Sequence, residues 1–166
     1  MKNNYLTTAW LVLLLAALFG SSLAAVQIAL KSRIAANKVQ ETYKQIPELV
    51  PAGTGTEGMQ TRGGMNVYPV QDQNDARVGW VVSSGGQGFA DRIEVLIGLN
   101  EEASRITGLY VLDQKETPGL GNKIVEEAWR RQFAGKPADK SLEVTKQQAQ
   151  NKYEVEAVTG ATISSE

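Results

Sequence analysis

The sequence predicts an α+β protein: a single N-terminal transmembrane helix followed by a domain with a mainly antiparallel sheet and packed helices. Three observations carry this expectation. Residues 9–30 contain no charged side chain. Residues 65–112 hold four strand-like segments separated by turn clusters. Residues 122–133 space apolar side chains as a helix does, and Gly135 and Pro137 follow in the order that ends one.

Composition narrows the chemistry. The chain has 166 residues, with 17 basic and 18 acidic side chains. That balance lacks the basic excess of a nucleic-acid binder, so no nucleic-acid partner is expected. There is no Cys and no His. Thiolate metal sites, disulfides, c-type haem attachment and a Ser-His-Asp triad are therefore excluded for this chain. No metal site is expected and no catalytic residue is assigned. Difficult chemistry would have to come from an organic cofactor.

Taken in order, residues 9–30 would span roughly 33 Å as a helix, against a bilayer core of about 30 Å. Tyr5 and Trp10 stand where interfacial aromatics belong. The rival reading is a cleaved signal peptide, with Lys2 as n-region, residues 11–19 as h-region and Ser22-Leu23-Ala24 as cleavage site. The anchor is preferred because the charge-free stretch continues past that site. Lys2 and the amino terminus precede the span, and Lys31, Arg33 and Lys38 follow it. This count leans weakly toward a cytoplasmic C-terminal flank.

Residues 32–46 continue with helical character as a stalk, with Ile34, Val39, Tyr43 and Ile46 near one face, and Pro47 and Pro51 are expected to end it. Residues 52–64 read as a Gly/Thr-rich loop. Residues 65–71 and 77–83 flank the turn cluster 72–75 and predict a hairpin, residues 84–88 a flexible break, and residues 93–99 and 105–112 two more strands of a meander. Asn122 is expected to cap a helix to about Phe133, with Ile124, Val125, Ala128, Trp129 and Phe133 on its buried side. Its exposed side would carry the pairs Glu126–Arg130 and Glu127–Arg131. Residues 142–145 predict a short strand, residues 145–148 a capping box opening a short helix, and residues 153–158 a last strand. Trp80 and Trp129 read as core. The expected division is 1–31 anchor, 32–52 stalk and linker, and 53–166 a single folded domain.

The last strand runs into Thr159-Gly160-Ala161-Thr162. Small residues there allow a bulky group close to the backbone. Thr162 would lie near a helix N-cap, where a phosphate is favoured. The plain alternative is an N-cap threonine after a tight turn. A second segment, Glu116-Thr117-Pro118-Gly119-Leu120-Gly121, lies between a strand and a helix. Gly119 and Gly121 would bare backbone for a flat ring, Leu120 would pack on it and Thr117 would hydrogen-bond a heteroatom. Its plain alternative is a helix-entry turn with no ligand.

Residues 156–165 resemble the flavinylation motif of FMN-binding domains, found in the G subunit of the Rnf complex and the related C subunit of the Na+-translocating NADH:quinone reductase. Residues 116–121 resemble the Glu-Thr-Pro-Gly-Leu-Gly loop of the same family, and Gly88-Phe89 its Gly-aromatic element. The resemblance implies that FMN is joined covalently, through its phosphate, to Thr162 by a separate flavin transferase. It implies cofactor contacts from Thr159, Gly160, Ala161, Ser164, Ser165, Glu116, Thr117, Pro118, Gly119, Leu120 and Gly121. Lys123 is the candidate cation for reduced flavin. An acidic residue, Glu156, stands where the family commonly has Asp. The family usually continues into a helix after the Thr, so a chain ending at Glu166 is expected to be truncated.

The function implied is an electron-transfer subunit rather than a stand-alone enzyme. Its partners would be the lipid bilayer, other membrane subunits of an Rnf-type ferredoxin:NAD+ oxidoreductase, and the flavin transferase. The family topology implies a single pass of the cell (inner) membrane with the flavin domain outside the cytoplasm. The alternatives are a C-type quinone-reductase subunit, or an anchored binding or assembly module carrying no flavin.

Overall fold

The computed structural model describes residues 5–166, with side chains from residue 9 onward. Lys2, the expected n-region charge, lies outside the described residues, as does the side chain of Tyr5. The first helix, α1, is Tyr5–Leu49, 45 residues. Pro47 sits inside it, so the expected stop at that proline is wrong. Pro51 follows the helix. The chain divides into two units, Met1–Gln40 and Glu41–Glu166.

In the first unit the side chains from Trp10 to Leu30 are exposed, including Leu13, Phe19, Leu23 and Ile28. Among the described residues this is one helix long and apolar enough to cross a membrane. Two of its hydroxyls bond within the helix: Ser21 and Ser22 both donate to the carbonyl of Leu18, at 3.0 and 2.7 Å. Back-bonding of this kind lets serine sit in a helix that has no water beside it.

The second unit is built on an antiparallel sheet. Its strands are β1 (Gly55–Thr56), β2 (Gln60–Arg62), β3 (Met65–Gln71), β4 (Arg77–Gln87), β5 (Arg92–Asn100) and β6 (Ile106–Asp113). The order is β1-β3-β4-β5-β6, with β2 also paired to β3, and every pairing is antiparallel. The expected meander of four strands is present. Two details differ. The supposed loop at 52–64 contributes β1 and β2, because the Gly/Thr-rich backbone adds to the edge of β3. The supposed break at 84–88 is the end of an 11-residue β4, paired through Gln87↔Arg92.

The turns explain the register. Asp72 Oδ1 accepts from the amides of Asn74 and Ala76, and Asn100 Oδ1 accepts from those of Ser104 and Arg105. These side-chain caps close the β3–β4 and β5–β6 connections locally.

The sheet has two apolar faces. On one, Ile46, Leu49 and Val50 pack with Tyr68, Val70, Val81 and Leu96. Thr107 Oγ1 donates to the carbonyl of Leu49 at 2.5 Å, and a Cβ on Gly108 would come within 3.2 Å of Leu49. The last turns of α1 are thus part of this core. On the other face, Ile93 and Val111 pack with Ile124, Val158 and Ala161.

The segment after β6 is not the single helix expected. It is a 3-10 turn (Gly121–Val125), a one-turn α2 (Glu127–Arg130) and a second 3-10 turn (Arg131–Phe133). Asn122 does not cap it; its Oδ1 accepts from the amide of Gly119 at 2.7 Å. Val125 and Ala128 are exposed rather than buried. Of the two expected ion pairs, Glu127–Arg131 forms at 2.6 Å. Arg130 instead donates to the carbonyls of Val125 and Leu109. These tertiary anchors, with Trp129 Nε1 donating to Glu156 O, outweigh helix propensity in so short a segment.

The expected helix at 145–148 is absent: Thr145 Oγ1 accepts from the amide of Gln147 in a local turn. Instead β7 (Glu143–Thr145) pairs in parallel with β8 (Glu154–Glu156). The chain then makes a turn, with Ala161 N donating to Val158 O, and enters α3 (Thr162–Ser165). Trp129 packs against the second core and Phe133, with ring centroids 5.0 Å apart. Trp80 is not core. Its ring lies between the guanidinium groups of Arg62 and Arg77, at 5.7 and 4.6 Å.

Candidate functional site

Beyond β6, the two motif segments meet. A cavity of about 420 Å³ opens between residues 116–121 and residues 160–164. Phe89 and Lys146 complete its wall. The volume lies in the usual range for small-ligand sites.

Each wall has a local reason. Gly160 has φ +81, so the turn that delivers Thr162 needs a residue free to enter the left-handed region. A Cβ there would also meet Leu120 at 3.4 Å. Ala161 is buried in the second core, which fixes the base of the turn. Thr162, the first residue of α3, is half-buried on the cavity wall. Among the described residues no hydrogen bond engages its hydroxyl. Its position is the first helical residue, with Ala161 preceding it as N-cap.

The cavity is apolar and open. Phe89 is 71% exposed, Leu120 47% and Ile163 51%. Three large apolar side chains left in water around one cavity form a natural seat for a flat ring. Lys146 stands on the rim, exposed and outside any ion pair among the described residues.

Glu116 is the buried charge of the site. Its Oε1 accepts from the amide of Ala90 at 3.0 Å, and its Oε2 accepts from Ser164 Oγ at 2.6 Å. The Ser164 hydrogen bond, chiefly, holds this carboxyl below its ordinary range, helped by the amides of Ala90, Asp91 and Phe89 and opposed by burial.

Of the residues expected to contact a cofactor, Glu116, Thr117, Leu120, Gly121, Gly160, Ala161, Thr162 and Ser164 line the cavity. Thr159, Pro118, Gly119, Lys123 and Ser165 do not. Gly119, with φ +79, serves the loop's turn. Ser165 Oγ donates to Ala161 O and accepts from Val158 N, so it braces the Thr162 turn from behind. Gly121 has a second reason to be glycine. A Cβ there would sit 2.7 Å from both Glu116 Oε2 and Ser164 Oγ, so the glycine makes room for the carboxylate.

Phe89, Ile163 and Lys146 were not anticipated as lining residues. Phe89 and Ile163 each stand inside a segment already matched to the family, Gly88-Phe89 and residues 156–165, which was the available signal. Lys146 reaches the rim only because β7 pairs with β8, and nothing local in the sequence announces that pairing.

Fold and site together define an α+β domain that presents the Thr162 hydroxyl on the wall of an open, apolar-walled, cation-rimmed cavity. The family model described as "FMN-binding domain" matches residues 88–166. That match takes in both segments that the sequence pointed to. The chain is 37% identical over 103 residues to the G subunit of the Na(+)-translocating ferredoxin:NAD(+) oxidoreductase complex of Acetobacterium woodii, covering 61% of this chain and 48% of that protein. It is 38% identical over 100 residues to the G subunit of an ion-translocating oxidoreductase complex from Methanosarcina acetivorans, covering 60% and 50%. The chain spans about half the length of these curated relatives. Among solved structures, NqrC of Shewanella oneidensis shares the fold with a TM-score of 0.53 at 22% identity, covering 69% of this chain and 61% of that one.

Proposed function

We propose that this chain is a membrane-anchored electron-transfer subunit carrying FMN covalently on Thr162, within an ion-translocating ferredoxin:NAD(+) oxidoreductase of the Rnf type. The observation that carries the reading is the cavity on which both motif segments converge, with the uncommitted Thr162 hydroxyl on its wall. The names of the two G-type relatives favour the Rnf-type complex over a Na(+)-translocating NADH-quinone reductase, whose C subunit from Vibrio alginolyticus is 27% identical over 107 residues.

The residues fit the group. Phe89, Leu120 and Ile163 offer apolar surface to a flat ring, and the Lys146 rim offers a cation to a phosphate or to reduced flavin. Lys146 takes the role expected of Lys123. FMN supplies reversible acceptance and release of electrons. The chain's own residues do the rest. Thr162 Oγ1 would form the phosphoester bond to the flavin-side phosphate of a flavin dinucleotide, whose phosphoanhydride bond would break to release the nucleoside monophosphate, with the hydroxyl proton passing to the flavin transferase. Glu156, exposed on the approach to Thr162, is a contact for that transferase. Leu120 and Phe89 restrict water at the ring.

In this reading residues 1–31 anchor the chain in the lipid bilayer, and residues 32–52 connect the anchor to the flavin domain and lend it Ile46, Leu49 and Val50. Residues 53–166 hold the cofactor outside the cytoplasm. The partner subunits of the complex donate and accept the electrons.

The test is co-expression of the full chain with a flavin transferase, followed by denaturing electrophoresis under ultraviolet light and intact mass. A fluorescent band and one added flavin phosphate are expected, and Thr162→Ala abolishes both. An unlabelled wild-type chain refutes the flavin reading and leaves the anchored binding module. Protease added to right-side-out vesicles should digest the chain beyond residue 36; full protection reverses the topology.

A further inference from the structure

The flavin reading gives Glu116 the role of a ligand, by its place in the motif. The structure gives its carboxylate different work. Both oxygens are committed to protein donors: Ala90 N at 3.0 Å and Ser164 Oγ at 2.6 Å. Glu116, Gly121 and Ser164 are all buried. The surroundings are shaped around those oxygens. A Cβ on Gly88 would lie 2.5 Å from Oε1, and a Cβ on Gly121 2.7 Å from Oε2. Two glycines on separate segments thus leave space for one side chain. The carboxylate is itself set by its neighbour, since Gln114 Oε1 accepts from the Glu116 amide at 2.6 Å.

The two donors stand on separate segments, one beside Phe89 and the other beside Thr162. Ala90 follows Phe89 in the loop between β4 and β5. Ser164 lies two residues after Thr162 in the four-residue α3. A helix of one turn has little stability of its own. Its orientation, and with it that of Thr162, must come from side-chain ties. Ser165 supplies one tie, to Val158 and Ala161. Ser164 supplies the other.

We infer that Glu116 is a positioning residue rather than a flavin ligand: its carboxylate clamps the Phe89 loop to α3 through Ser164, and thereby presents the Thr162 hydroxyl for flavin attachment. This rests on the flavin-carrying reading. Glutamine can keep both ties, its Oε1 accepting from Ala90 N and its Nε2 donating to Ser164 Oγ, so the clamp is cut by alanine.

The experiment measures initial rates of flavin attachment to the full chain by a flavin transferase, at varied chain concentration. Glu116→Ala and Ser164→Ala should each lower kcat about tenfold, with KM for the chain within twofold of wild type. The double variant should be no slower than the slower single, because both changes cut one tie. Wild-type kcat in either variant overturns the inference. So does a multiplicative double variant, or a rise in KM in place of a fall in kcat, which marks damaged recognition. A wild-type chain that takes no flavin overturns the flavin reading itself, and is thereby distinguished from failure of the clamp. Should both variants unfold, amide exchange in the wild type decides. The Ala90 amide must then be protected together with those of α3, and exchange at free-loop rates overturns the clamp.

Discussion

Replacing Gly121 by alanine separates two accounts of a motif glycine. If the glycine were bare so that a ring could approach, alanine would be harmless to the flavin-free protein. It would even stabilise it by about 0.4–1 kcal/mol through reduced freedom of the unfolded chain, since Gly121 lies outside the left-handed region. The structure requires the opposite. The added Cβ would lie 2.7 Å from Glu116 Oε2, 2.7 Å from Ser164 Oγ and 2.9 Å from Glu116 Cβ. The two oxygens are not free to yield, because they are hydrogen-bonded to one another and buried, and the third atom is a Cβ close to the backbone. Overpacking of this kind costs roughly 1–3 kcal/mol. Loosening the charge-assisted hydrogen bond costs about 1.5–3 kcal/mol where it is lost altogether. A net loss of roughly 1–3 kcal/mol follows, or a fall in Tm on the order of 5–10 °C for a domain of this size. The assay is thermal unfolding of the full chain in detergent without flavin, followed by far-ultraviolet circular dichroism. A flavin-free Gly121→Ala chain as stable as wild type, or more so, would refute the reasoning.

Three further outcomes are expected. Glu116 has a carboxyl held below its ordinary range in the folded chain, chiefly by Ser164, so its contribution is complete above the unfolded glutamate pKa of about 4.3 and is lost as pH falls through the lower folded value. Thermal melts of wild type and Glu116→Gln should therefore converge as pH falls from about 7 to about 3, and a constant gap would contradict the assignment. Lys146→Gln should make the midpoint potential of the loaded protein more negative by roughly 20–60 mV, the scale of about 1 kcal/mol between charges near solvent, whereas Lys123→Gln should leave it unchanged; redox titration reports both. Leu96→Ala, at a side chain with no exposed surface, should cost about 2–5 kcal/mol in denaturant unfolding.

The sheet was legible because its signals are local. Alternation marks β3, β4, β5 and β6, and Asp72 and Asn100 close their turns with their own side chains. The flavin motif was legible for a different reason: it must fold one way to present Thr162, so its residue types are constrained together. What escaped reading is what only tertiary contacts decide. β1 and β2 have no hydrophobic pattern and exist by adding to β3. The helix expected at 122–133 breaks into short turns because Trp129 and Arg130 are tied to carbonyls of Glu156 and Leu109. Ser164 and Ser165 were placed at the cofactor by their nearness to Thr162, yet their hydroxyls turn inward to Glu116 and to the Val158–Ala161 turn.

Ile46, Leu49 and Val50, at the end of α1, pack on the sheet face opposite the one that holds the cavity elements. A soluble version begun at residue 53, where the predicted domain starts, would leave Tyr68, Val70, Val81 and Leu96 facing water. Such a fragment would be prone to aggregate before any flavin could be attached to it. A version begun at Glu41 keeps the unit whole. For whoever prepares this domain, the useful cut lies inside the helix, about one to two turns ahead of the point where the sequence stops looking like one.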